Sequence, residues 1–259
     1  MLNFTGAEIS ALVGGYMWPF VRIAAMITAI PVFSSTFVPI RARLMIAIGI
    51  TIIIAPVIPA VPEIDAMSIP GVLLVLQQLL IGIIMGFIFH LVFAIFTIGG
   101  QIIAMQMGLG FATMIDPVNG SQAPVLSMFF ILLVTLLFFI FDGHLVMIGL
   151  VADSFYSMPI SYEAMDKQNF WNMVMWGSTM FSSAILVSLP AVTALLLVNM
   201  SLGIIGRAAP QLNIFAVGFS ITITAGFYVI MVSLPVVVVQ FENASLDAFS
   251  QIKDFVNMR

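Results

Sequence analysis

The sequence predicts an all-α, multi-helix integral membrane protein built from kinked helical hairpins, with an internal loop rich in methionine and glycine. Three observations carry this. The chain is 62% hydrophobic and only 7% charged, whereas ordinary soluble domains carry about 25% charged residues. Its mean hydropathy is +1.23. Six apolar stretches, at about 9–30, 44–61, 72–98, 125–152, 173–200 and 214–240, lie near or above the roughly 20 residues a helix needs to cross a bilayer. All are far too long for strands, and with no stretch polar enough to fold separately the chain reads as one compact membrane domain.

Taken in order, the first stretch contains Pro19 and Arg22. No cationic region precedes it and Glu8 lies near its start, so it reads as a retained helix rather than a cleaved signal. Pro31 and Pro39 follow it, Pro56 and Pro59 fall within the second stretch, and Pro62 and Pro70 stand in the loop beyond. Pro190 and Pro235 lie within the fifth and sixth, in a repeated Val-Ser-Leu-Pro at 187–190 and 232–235. Each such proline removes a backbone donor and kinks its helix, and irregular backbone at membrane depth is tolerated only against protein or a water-filled cavity. In the tail, Leu246, Phe249, Ile252, Phe255 and Val256 recur at helical steps against Asp247, Lys253 and Asp254, predicting an amphipathic helix over 241–259.

Residues 99–124, GGQIIAMQMGLGFATMIDPVNGSQAP, form the one long interruption that is neither a span nor a charged loop. Connections of this length in a packed chain are lids, gates or linkers. Three methionines suit a surface that closes on irregular partners, and Gly99, Gly100, Gly108, Gly110 and Gly120 let the backbone bend. An ordinary connector with turn glycines is the alternative. Basic residues favour the alternate loops 31–43, 99–124 and 200–213, through Arg41, Arg43 and Arg207, which predicts that these face the cytoplasm with both termini outside.

No cysteine is present, which excludes disulfides, thiolate metal sites and thiol nucleophiles, and a net charge of −4 gives no footprint for nucleic acid. Arg22 and Asp142 are the charges deepest in apolar runs, and such residues face a bundle interior with a partner. The structural reading is a buried ion pair with each other, or groups at helix ends that snorkel to the interface; the functional one is a proton or ion path that adds His90 or His144. No catalytic, cofactor or metal motif stands out, so the chain does not read as an enzyme. Gly82-x-x-x-Gly86 permits close helix approach to a neighbour that the sequence leaves unspecified.

The segment Arg207-Ala-Ala-Pro210-Gln211-Leu-Asn213-Ile-Phe215-Ala-Val-Gly218-Phe219 closely resembles the signature of the FliR family, a subunit of the flagellar type III export gate. Two more regions agree: Arg22 to Pro59, with PVFSS at 31–35, and the loop with Gly108, Gly110, Asp116, Pro117 and Asn119 before Pro124. The resemblance spans nearly the whole chain. It implies a subunit that joins FliP and FliQ around a central pore for unfolded flagellar proteins, with FlhB and FlhA as further partners and membrane lipid around it. It also implies strongly tilted helices, and a place in the inner membrane and flagellar basal body raised toward the periplasm. On this likeness 1–172 is a FliP-like portion, 173–240 a FliQ-like hairpin and 241–259 the tail. Met105, Gln106, Met107, Gly108, Leu109, Gly110, Phe111, Met114, Asp116, Pro117 and Asn119 would form the pore plug, and Arg22, Arg207, Pro210, Gln211, Asn213, Phe215 and Gly218 would serve assembly. An injectisome homologue, a small-solute or ion secondary transporter and an assembly scaffold without pore contact are the alternatives.

Overall fold

The computed structural model describes residues 6–35, 38–59, 68–109, 125–161, 167–211 and 214–256, and all regular structure among them is helical. The helices are α1 (Gly6–Ala29), α2 (Pro31–Ser34), α3 (Ile40–Ile54), α4 (Ile69–Gln106), α5 (Val125–Ile140), α6 (Gly143–Ser157), α7 (Lys167–Ala208) and α8 (Ile214–Phe255). Among the described residues, Ile69–Gln106, Phe170–Ala208 and Val217–Phe255 are long and apolar enough to cross a membrane. The broken pair Val125–Ile140 and Gly143–Ser157 makes a fourth if it is one span.

Two compact units divide the chain. The first comprises Met1–Leu91, Asp142–Met175 and Ser245–Arg259, the second Val92–Phe141 and Trp176–Ala244.

In the first unit, α1 and α4 run parallel and nearly touch. A Cβ on Gly82 would collide with the carbonyl oxygen of Arg22 and lie 2.8 Å from Ala25 Cβ; one on Gly86 would lie 2.6 Å from both Ala29 Cβ and Met26 O. The Gly82-x-x-x-Gly86 ridge therefore has its neighbour, and it is α1. Ser68 caps α4 by accepting a hydrogen bond from the Gly71 N–H at 3.1 Å, and α3 packs on α1. Arg43 donates to Ser35 O at 2.7 Å, Ser34 O at 3.1 Å and Val38 O at 3.1 Å, stitching the link between α2 and α3. The second apolar stretch is shorter as a helix than the sequence suggests, since α3 spans 15 residues and ends at Ile54. Pro56 has no N–H for the next helical bond, so it and Pro59 terminate this helix instead of kinking it.

In the second unit, α5 packs on α4. Ser127 Oγ donates to Thr97 O at 3.1 Å, Phe93 meets Phe138 edge-on at 6.0 Å between centroids, and a Cβ on Gly100 would lie 2.7 Å from the Phe130 ring. Phe96 meets Phe241 of α8 at 5.8 Å. Pro190 and Pro235 sit inside unbroken helices. Each follows a serine that donates to the carbonyl three residues back, Ser188 to Ile185 and Ser233 to Ile230, both at 3.0 Å.

Further boundaries differ from expectation, and the expected stretch 125–152 is broken between α5 and α6. Residues 99–106 belong to α4, not to a loop: Gly99 and Gly100 face packed helices, and Ile102 to Gln106 are helix formers with nothing to stop them. The tail is no separate helix either, because α8 runs unbroken through 241 to Phe255. Ala248, Ile252 and Phe255 are its buried face there.

Candidate functional site

The end of α4 sets how the chain leaves it. The Leu109 N–H donates to Ala104 O at 3.0 Å and the Gly108 N–H to Met105 O at 3.1 Å, with Gly108 at φ +83°. This is the Schellman arrangement, which requires a left-handed residue just past the helix. Met107 is fully buried against α8, where Thr222 Oγ1 donates to its carbonyl oxygen at 3.3 Å. Met105 is exposed, and Gln106 and Leu109 are half-buried. Of the sequence-derived plug set, Met105, Gln106, Met107, Gly108 and Leu109 are thus brought together, the first two as the last residues of α4. Gly110, Phe111, Met114, Asp116, Pro117 and Asn119 lie outside the described residues. Gly108→Ala should cost about 1–2 kcal/mol, the penalty of a left-handed L-residue, read as a lower unfolding temperature of the co-purified complex that contains the chain.

Phe219, Thr222 and Gly226 of α8, which hold this turn, are the residues the sequence reading missed. Gly226 was the available signal: a glycine inside a long apolar helix weakens it unless another group needs the space.

Apart from Arg22, the assembly set falls where α7 gives way to α8. Arg207 is exposed in the last turn of α7, Pro210 and Gln211 are exposed in the turn beyond, and Gly218 is buried in α8. Asn213 and the Phe215 side chain lie outside the described residues.

Arg22 occupies a different kind of site, within the first unit. It is fully buried, and its Nε–H donates to Gln78 Oε1 at 2.7 Å. One terminal nitrogen donates to Ser154 O and Ser154 Oγ, each at 3.0 Å, and the other to Met158 O at 2.9 Å. Its guanidinium carbon lies 4.2 Å from the centre of the Phe155 ring. The expected pairing with Asp142 is not made. Asp142 is exposed and precedes the first residue of α6, at φ 52°, whereas Arg22 meets the last turn of that helix. Both charges complement the dipole of one helix, negative at its N-terminus and positive at its C-terminus. That explains how a buried cation is held by neutral acceptors alone. A proton path beginning with an Arg22–Asp142 contact loses its first step. His90 is exposed and stacks on Phe87 at 6.2 Å. Among the described residues no group of three or more His, Asp or Glu could hold a metal ion.

Among the described residues, the membrane-length helices, the glycine-mediated helix crossing and the glycine-ended exit from the most buried long helix define an all-α membrane protein. Residues 13–248 match the family described as bacterial export proteins, family 1. The flagellar biosynthetic protein FliR of Pectobacterium carotovorum subsp. carotovorum is 38% identical, over 99% of this chain and 98% of its own length. That of Escherichia coli (strain K12) is 36% identical over 99% and 98%, and that of Bacillus subtilis (strain 168) 28% over 91% and 92%. The chain belongs to the FliR family of flagellar export proteins.

Proposed function

We propose that this chain is a pore subunit of the flagellar type III export gate, assembled in the bacterial inner membrane with FliP and FliQ, adjoining FlhB and FlhA, and passing unfolded flagellar proteins. The observation that carries this is the uneven cover of its long helices. The most apolar window of α4 is 67% buried within the chain, those of α7 and α8 only 28% and 22%. Two proline-containing helices with few of their apolar residues covered suit a FliQ-like hairpin at 173–240 that packs on neighbouring subunits, beside a FliP-like portion at 1–172. The plug role of residues 106–122 belongs to this proposal.

Expressed with the genes of its partners, the chain should co-purify in a large hetero-oligomer; expressed alone, it should aggregate or be degraded. A well-behaved monomer or homo-oligomer in detergent, unfolding cooperatively, would favour a small-solute transporter instead. Within the complex, Arg207→Glu should lower recovery severalfold, since an exposed guanidinium offers planar donors to a neighbour's carboxylates or carbonyls. Normal yield with normal motility would remove Arg207 from the assembly surface.

A further inference from the structure

Phe219, Thr222 and Gly226 recur at three- and four-residue steps and so share one face of α8. Against that face lies the end of α4. A Cβ on Gly226 would lie 2.5 Å from Met107 Cγ, 2.6 Å from Cε and 2.7 Å from Sδ. The outer half of the methionine thus rests on bare backbone. This is particular to the position, because Gly177 and Gly203 of α7 have nothing within 4 Å of the same point.

We propose that Met107 and Gly226 form a releasable clasp between α4 and α8, and that export requires it to open; this rests on the reading of the chain as a pore subunit. The contact is close but made of parts that let go one at a time. Its knob is an unbranched, flexible thioether that leaves by rotamer change alone. Its polar tie is weak: Thr222 has one hydroxyl hydrogen to share between Phe219 O at 3.0 Å and Met107 O at 3.3 Å, and an O–H···O contact at the longer distance lies beyond the usual range. Phe219 flanks Gly108, with ring atoms 3.5 and 3.7 Å from where its Cβ would be, and adds only van der Waals contact. The α1–α4 crossing is the opposite case. There the glycines meet backbone atoms of Arg22, Met26 and Ala29, which no side-chain rotation can clear.

The chain has no cysteine, so Met107→Cys/Gly226→Cys introduces its only internal disulfide. Met107 Cβ is one bond of about 1.5 Å from Cγ, so the two Cβ atoms are at most about 4.0 Å apart, within disulfide reach. The double variant replaces the native copy in flagellated cells, and secretion of a flagellar subunit is followed after diamide and again after dithiothreitol. Complete oxidation should reduce secretion at least tenfold while FliP and FliQ still co-purify, and reduction should restore it. Undiminished secretion from fully cross-linked complex overturns the proposal, as does failure of the bond to form in assembled complex. Failure of the unmodified chain to co-purify with FliP and FliQ would overturn the pore reading itself, a separate result. If the double variant is not recovered, Gly226→Ala carries the test. The new methyl evicts the Met107 side chain without touching backbone, and small-solute entry through the complex should rise at least fivefold at unchanged complex yield. Unchanged entry overturns the clasp.

Discussion

Gly82→Ala should destabilise the protein by about 3 kcal/mol, the upper end of what overpacking a close contact costs. The added methyl would strike the Arg22 carbonyl oxygen and lie 2.8 Å from Ala25 Cβ. Neither obstacle is the mobile end of a side chain, so α1 and α4 must separate, and separation loosens everything on both helices. Gly86→Ala meets Met26 O and Ala29 Cβ at 2.6 Å and should act alike. The double variant should not be recoverable, since whole-domain stability is only about 5–15 kcal/mol. Gly149→Ala in α6 is the control: nothing lies within 4 Å, and replacing a helix-interior glycine by alanine should gain up to about 1 kcal/mol. Thermal unfolding of each variant within its co-purified complex, in one detergent, gives the comparison. Equal unfolding temperatures for the Gly82 and Gly149 variants would mean that the crossing is looser than its geometry.

Replacing Arg22 should have the other large effect, with an informative order. Arg22→Leu leaves Gln78 Oε1, Ser154 Oγ and Met158 O without the donors they now have, and an unsatisfied buried polar group costs about 1–3 kcal/mol. Against this stands the cost of burying a cation, which can make an apolar replacement neutral. Here the cation meets a helix C-terminus and an aromatic face, two favourable partners that involve no second buried ion. The bonds should therefore win, with a net loss of about 3 kcal/mol. Arg22→Lys keeps the charge but presents its donors from one point, which cannot span Gln78 on α4 and Met158 beyond α6, so it should recover only part of that loss. Arg22→Glu sets a carboxylate against carbonyl oxygens at the negative end of α6 and should abolish folding. An Arg22→Leu protein as stable as the parent would show that desolvation outweighs the bonds.

The hydrophobic runs made the helices legible, because a bilayer-length apolar segment has few other stable forms. Boundaries were less so, and at the end of α4 the reason is glycine. Gly99 and Gly100 read as loop residues, yet they stand where Ala184 O and Phe130 of other helices come close. A glycine chosen for close packing looks in sequence like one chosen for a turn. Gly108, at φ +83°, is the turn glycine among these three. Arg22 was legible as a buried cation but its partner was not, because backbone carbonyls at a helix end leave no trace in residue identity. Asp142 drew attention as the other charge deep in an apolar run; it proved to stand exposed at the far end of the helix whose C-terminus meets Arg22.

The Arg22 site also has a history in time. Its acceptor Gln78 lies 56 residues downstream and Ser154 lies 132. At roughly 5–20 residues per second of synthesis, Arg22 is made several seconds before Gln78 and roughly 7–26 s before Ser154. Through that interval α1 carries a cation that its own chain has not yet learned to neutralise. The residue that fastens the finished unit is thus one whose partners are complete only after more than half of the chain has been made.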